Sequence, residues 1–132
     1  MIIKSISELN NFAKDILKKW YKKFLLVWDL WVWKTEFVKQ LAKNIWIKRI
    51  NSPTYTYINN YKNKLLHWDF YRINNEQEFL NLWILEEIDN FEYVCIEWPK
   101  FKKLYIDKNW LEIEIQKINS LERKIILHSI KN

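Results

Sequence analysis

The chain has 132 residues, 49% of them hydrophobic and 29% charged, with a formal net charge of +6 and a pI near 9.3. That length suits one ordinary domain over residues 1–132 with a real core, and is too short for two full-sized ones. No apolar run approaches the roughly 20 residues that span a bilayer, and the opening Met-Ile-Ile-Lys-Ser-Ile-Ser-Glu lacks the continuous apolar stretch of a secretory signal, so the reading is a cytoplasmic protein with no membrane partner.

Ser7 to Lys19 has helical periodicity and carries Lys18 and Lys19 in its last turn, so Trp20 stands where a C-cap with positive φ belongs. Phe24 to Val27 reads as a buried strand. From Lys34 to Ile45 the helical period returns, with Phe37, Val38, Leu41, Ala42 and Ile45 on one face and Trp46 at the next cap position. Asn51-Ser52-Pro53-Thr54 forms a turn before a strand from Tyr55 to Tyr61, where a loop that senses a γ phosphate is usually found. Leu65 to Tyr71 alternates, sending His67, Asp69 and Tyr71 to one face; that pattern fits a site or, equally, an edge strand with a wet face.

Two short helices, Glu76 to Leu82 and Ile84 to Ile88, are separated by Trp83. Phe91 to Ile96 is an apolar strand holding the lone Cys95, which reads as a buried reduced thiol, and it ends in Glu97, Trp98 and Pro99. Asp107-Lys108-Asn109-Trp110 is a turn that glycine at 110 would tighten into an Asn-Gly signature. Leu111 to Ile115 then alternates strictly, and Lys124 to Ile130 gives a last strand.

The composition carries two linked anomalies. Nineteen lysines against three arginines, and 52 residues of Lys, Asn and Ile together, are what an AT-rich genome would produce, so the positive charge by itself is weak evidence for a nucleic-acid partner. Glycine is absent, where an average of about 7% would give roughly nine, and tryptophan, whose standard codon is GC-rich, occurs nine times. The matching sizes predict that UGA codons decoded as glycine in the source lineage are rendered here as tryptophan. Trp20, Trp46, Trp83 and Trp110 fall at turn or cap positions that favour glycine. Trp68 lies inside a strand, where the pattern leaves either residue open, and Trp98 reads as a genuine tryptophan.

The strongest motif follows the first buried strand. Trp28-Asp29-Leu30-Trp31-Val32-Trp33-Lys34-Thr35 becomes G-D-L-G-V-G-K-T once glycine is restored, a phosphate loop between a strand and an amphipathic helix. Backbone N–H groups must curl around phosphates there, at a helix N-terminus whose partial positive charge favours an anion, and indole rings would fill that space. Lys34 then reaches the β and γ phosphates, the Thr35 hydroxyl ligates magnesium, and Glu97 at the end of a second buried strand is the acid that completes the metal site. Without the glycines, Lys34-Thr35 is an ordinary helix start.

In order and spacing, G-D-L-G-V-G-K-T, N-S-P-T-Y-T, H-W-D-F-Y-R and I-E-W-P resemble the bacterial TsaE family, P-loop ATPases that assist synthesis of threonylcarbamoyladenosine in tRNA; the resemblance runs from about Ser5 to about Ile126. It implies a three-layer α/β P-loop fold with a mixed central sheet and an antiparallel extension of C-terminal strands. By motif, it implies that residues 28–35 with Glu36 hold ATP phosphates, that Thr35 and Glu97 bind Mg2+, and that Thr54, Asp69 and Arg123 belong to the nucleotide site, although Arg123 lacks the usual preceding glycine. Lys34, Asp69 and Glu97 are the catalytic set, either acid orienting water. Partner subunits that transfer the threonylcarbamoyl group are implied, with tRNA engaged only indirectly. Two other readings compete: a tryptophan-rich basic module that stacks single-stranded nucleic acid, and a small P-loop kinase.

Overall fold

The computed structural model describes residues 1–28, 31–47 and 58–129. Helix α1 (Ile6–Lys18) starts at Ser5, whose hydroxyl accepts the Glu8 N–H at 3.1 Å, and buries Leu9, Phe12, Ala13 and Ile16, a one-face pattern. Helix α2 (Trp31–Asn44) buries the face expected from its period, Phe37, Val38, Leu41 and Ala42, with Ile45 just beyond. The remaining helices, α3 (Glu76–Asn81) and α4 (Ile84–Asn90), are short.

Seven strands form one mixed sheet: β1 (Ile2–Ile3), β2 (Lys23–Trp28), β3 (Ile58–Tyr61), β4 (Leu65–Asp69), β5 (Tyr93–Glu97), β6 (Trp110–Lys117) and β7 (Arg123–Ser129), in the order β1-β7-β6-β2-β5-β4-β3. The four central strands are parallel; β3, β7 and β1 add antiparallel edges. The C-terminal hairpin is antiparallel as expected, and its first strand also joins the parallel core beside β2.

Alternation along the strands sorts the core into two layers. Phe24, Leu26, Leu65, Cys95 and Ile113 pack under α1 and α2; Leu25, Leu66, Trp68, Val94 and Ile96 pack under α3 and α4 through Phe79, Ile84 and Ile88. The result is the helix–sheet–helix sandwich anticipated from the sequence. No helix among the described residues is long and apolar enough to cross a membrane.

Backbone geometry bears on the tryptophans. Among the described residues seven have positive φ, and four of those are tryptophan: Trp20 (72°), Trp46 (70°), Trp83 (57°) and Trp98 (51°). A residue with a Cβ pays about 1–2 kcal/mol there. Trp46 closes α2 in a Schellman arrangement, its N–H donating to the Lys43 carbonyl at 3.3 Å while the Ile47 N–H reaches Ala42 at 2.9 Å. Trp20 caps α1 through a 3.2 Å bond to the Leu17 carbonyl, and Trp83 is the left-handed link between α3 and α4. All three fit the sequence reading.

Trp110 corrects it. The turn exists, with the Trp110 N–H donating to the Asp107 carbonyl at 3.2 Å, but Trp110 is its fourth residue, has an ordinary φ, and is fully buried against Tyr105, so no positive-φ demand for glycine arises there. Trp98, read as genuine, shares the left-handed region. A tight hairpin with positive φ at Lys62 and Asn63 joins β3 to β4, closed by the Lys64 N–H on the Tyr61 carbonyl at 3.0 Å. Strand β4 stops two residues earlier than its alternation predicts because the Asp69 carboxylate accepts the Tyr71 N–H at 2.8 Å, turning the chain out of the sheet.

Candidate functional site

Strands β2, β5 and β4 run parallel, and their carboxyl ends lie side by side: Leu26 is opposite Glu97, and Glu97 is opposite Asp69. Crevices beyond such strand ends are where open α/β sheets bind ligands. Trp28 lies two residues past Leu26 on the same face, and only residues 29 and 30 separate it from α2. At the same edge β6 ends opposite β7, with Lys117 paired to Arg123.

Two carboxylates are buried here, Asp69 at 5% exposure and Glu97 at 3%, in an otherwise apolar layer. A buried charge is expensive unless paired, and for Glu97 the partner is His67, fully buried, whose Nε2 is hydrogen-bonded to Oε2 at 2.6 Å. The His67 Nδ1 has no partner among the described residues. Cys95 is opposite His67 on β5; burial first, and then the negative charge of Glu97, pushes its thiol well above the usual range, so it stays protonated and unreactive.

Beyond the strand ends, Trp98 packs on Tyr71 with ring centroids 5.1 Å apart, while Lys100 donates to the Tyr71 and Ile73 carbonyls at 2.8 and 3.0 Å. These contacts tie the segment after Asp69 to the segment after Glu97. Arg123 is buried, its Nη1 donating to the Asn119 and Glu122 carbonyls, and its guanidinium sits 5.1 Å from the Trp33 ring centroid.

The sheet edge thus brings together Trp28, Trp33, Asp69, Glu97 and Arg123, with Thr35 and Glu36 half-buried in the first turns of α2. Trp31, Val32 and Lys34 lie in that helix, whereas Asp29, Leu30 and Thr54 fall outside the described residues. Lys100 is an addition that sequence reading did not include; His67 was placed there on one face with Asp69 and Tyr71 but given no role, and the structure pairs it with Glu97. A concavity of about 410 Å³ at the opposite edge, lined by Lys19, Trp20, Lys22, Lys23, Glu92 and Lys108, collects none of these groups.

The oxygen donors Thr35, Asp69 and Glu97 are of the type a hard cation takes, but no group of three or more His, Cys, Asp or Glu side chains among the described residues is arranged to hold a metal ion, so magnesium here would lean on water and phosphate oxygens. The phosphate cradle does not fit. The Trp28 indole packs on Phe37 at 5.7 Å, that of Trp33 joins the core under α1 and α2, and α2 begins at residue 31, three residues before the expected start, taking up backbone that would have to wrap phosphates.

The family model described as Threonylcarbamoyl adenosine biosynthesis protein TsaE matches residues 3–125. The tRNA threonylcarbamoyladenosine biosynthesis protein TsaE of Borreliella burgdorferi is 34% identical over 116 residues, covering 82% of this chain and 83% of that protein. Its counterpart in Bacillus subtilis is 35% identical over 109 residues, covering 79% and 67%. The crystal structure of Bacillus subtilis YdiB superposes with a TM-score of 0.70 at 25% identity, over 99% of this chain and 84% of that one.

Proposed function

We propose that this chain, which belongs to the TsaE family, is the nucleotide-binding accessory protein of tRNA threonylcarbamoyladenosine biosynthesis in its organism, and that it hydrolyses ATP with Mg2+ in the service of a threonylcarbamoyl transferase complex. The observation that carries the reading is the pair of buried carboxylates, Asp69 and Glu97, placed side by side at the carboxyl edge of parallel strands, beside the end of β2 and close in sequence to the start of α2. ATP and magnesium, when bound, supply a phosphoanhydride and the counter-charge for it. With glycine at the loop positions, Arg123 would add positive charge at that edge, the motif assigns Lys34 to the β and γ phosphates, Thr35 and Glu97 would be the oxygen ligands for the metal, and Asp69 or Glu97 would orient water.

This assignment requires glycine at positions 28, 31 and 33. The protein acts as one domain in the cytoplasm and meets tRNA only through its protein partners. No geometric feature of the described residues favours the kinase or the aromatic nucleic-acid module over this reading.

The test uses protein with glycine at 28, 31 and 33. Binding of a fluorescent ATP analogue is measured first, then turnover with the partner subunits present. Lys34→Ala and Glu97→Gln are expected to lower turnover by at least about 10²-fold each, the scale of losing a charge-stabilising group. Turnover at the unsubstituted rate in Lys34→Ala sinks the assignment.

A further inference from the structure

The cradle that does not fit its ligand and the strained helix caps are two faces of one fact. We infer that the working polypeptide carries glycine at positions 20, 28, 31, 33, 46 and 83 and keeps tryptophan at 98, the glycines being encoded by a codon rendered here as tryptophan.

The first group is defined by the backbone alone. Positions 20, 46 and 83 each follow the last turn of a helix in the left-handed region, where a Cβ meets the carbonyl and glycine does not. Their rings gain nothing in return: Trp20, Trp46 and Trp83 are 86%, 84% and 69% exposed, and none stacks on another aromatic or lies beneath a cation among the described residues. Three large apolar side chains in water, each at a strained φ, have no selective account as tryptophan and an immediate one as glycine.

Position 98 shows why φ alone is insufficient. It too is left-handed, yet its ring packs on Tyr71 and is far less exposed, at 37%. An indole with a contact that links two strand-end segments is a tryptophan by function, which separates position 98 from the three exposed caps; positions 28 and 33, whose rings do have contacts, are assigned from the phosphate-loop motif instead.

The second group is defined by space. Trp28 is 5% exposed and packs on Phe37 beside the start of α2, and the Trp33 ring stands under the Arg123 guanidinium, so both rings fill the space next to that helix start. Remove both rings and a cavity opens between the end of β2, the start of α2 and a buried arginine. Glycine at 31 disfavours the early helical turn at the start of α2 and would leave N–H groups there free to face a phosphate. At 28, 31 and 33 the inference deepens the ATPase reading; at 20, 46 and 83 it stands without it.

Tandem mass spectrometry of the native protein from its own organism decides the matter. Glycine at all six positions and tryptophan at 98 is the expected result. Tryptophan at any of the six overturns the inference, and glycine at 98 overturns the ring-contact criterion. A second measurement needs no native material: in recombinant protein, Trp20→Gly, Trp46→Gly and Trp83→Gly should each raise Tm by roughly 3 °C or more, and a fall in all three refutes the backbone argument. If glycine is found at all six and the glycine protein still fails to bind ATP, recoding stands and the ATPase proposal falls.

Discussion

Replacing His67 by leucine isolates the energetics of the buried polar pair. Leucine roughly fills the volume of the imidazole, so the main change is that Glu97, 3% exposed, loses the 2.6 Å bond from Nε2 and is left as a carboxylate in an apolar layer. Breaking one half of a buried pair costs about 3–5 kcal/mol. Against a total stability of about 7–20 kcal/mol for a chain this long, the variant should remain folded but clearly weakened. With an unfolding entropy near 2.1 cal/mol/K per residue, the loss corresponds to a fall in Tm of about 10–18 °C. Urea unfolding of wild type, His67→Leu, Glu97→Leu and the double variant gives the coupling directly. The double variant should recover most of the loss, because a fully apolar layer leaves no charge unpaired. If the two single effects simply add within about 0.5 kcal/mol, the side chains do not support one another and the account of this layer is wrong.

Cys95 gives a pH prediction. Its thiol is held up by burial, so the thiolate forms in the unfolded chain before it forms in the folded one. Stability from this group is complete below about pH 8.5 and is lost as pH rises beyond it, at about 1.4 kcal/mol per pH unit. Urea unfolding at several pH values between about 8 and 10 should show Cys95→Val with a shallower decline than wild type, and parallel curves would contradict the burial argument. Ser5→Ala removes the hydroxyl that accepts the Glu8 N–H and should cost about 1 kcal/mol, read from the same unfolding midpoint; an unchanged midpoint would show that the cap contributes nothing.

Much of this architecture is legible one residue at a time. The buried face of α2 follows from the spacing of Phe37, Val38, Leu41 and Ala42, and Glu97 is marked by the apolar strand that leads to it. What the linear pattern misses is set by contacts distant in sequence or by side chains acting on the backbone. Alternation carries the fourth strand through Tyr71, but the Asp69 carboxylate accepts the Tyr71 N–H two residues on and the strand ends early. His67 shares the face of Asp69, but its partner is 30 residues away on another strand, and no spacing rule reaches that far. Trp110 follows Asn109 as a turn glycine would, yet the turn closes one residue earlier and leaves the indole in the core.

The His67–Glu97 bond also bears on how β4 and β5 find their alignment. These strands are parallel and are joined through α3 and α4, so no tight turn dictates which residue meets which. Apolar neighbours such as Leu65, Val94 and Ile96 accept small displacements without much penalty. A slip of one residue would instead carry Glu97 to the opposite layer, among Phe79 and Ile84, where no imidazole awaits it. One polar rung in a greasy ladder therefore works as a keyed joint, tolerating a single seating of the two strands and fixing where both carboxylates emerge.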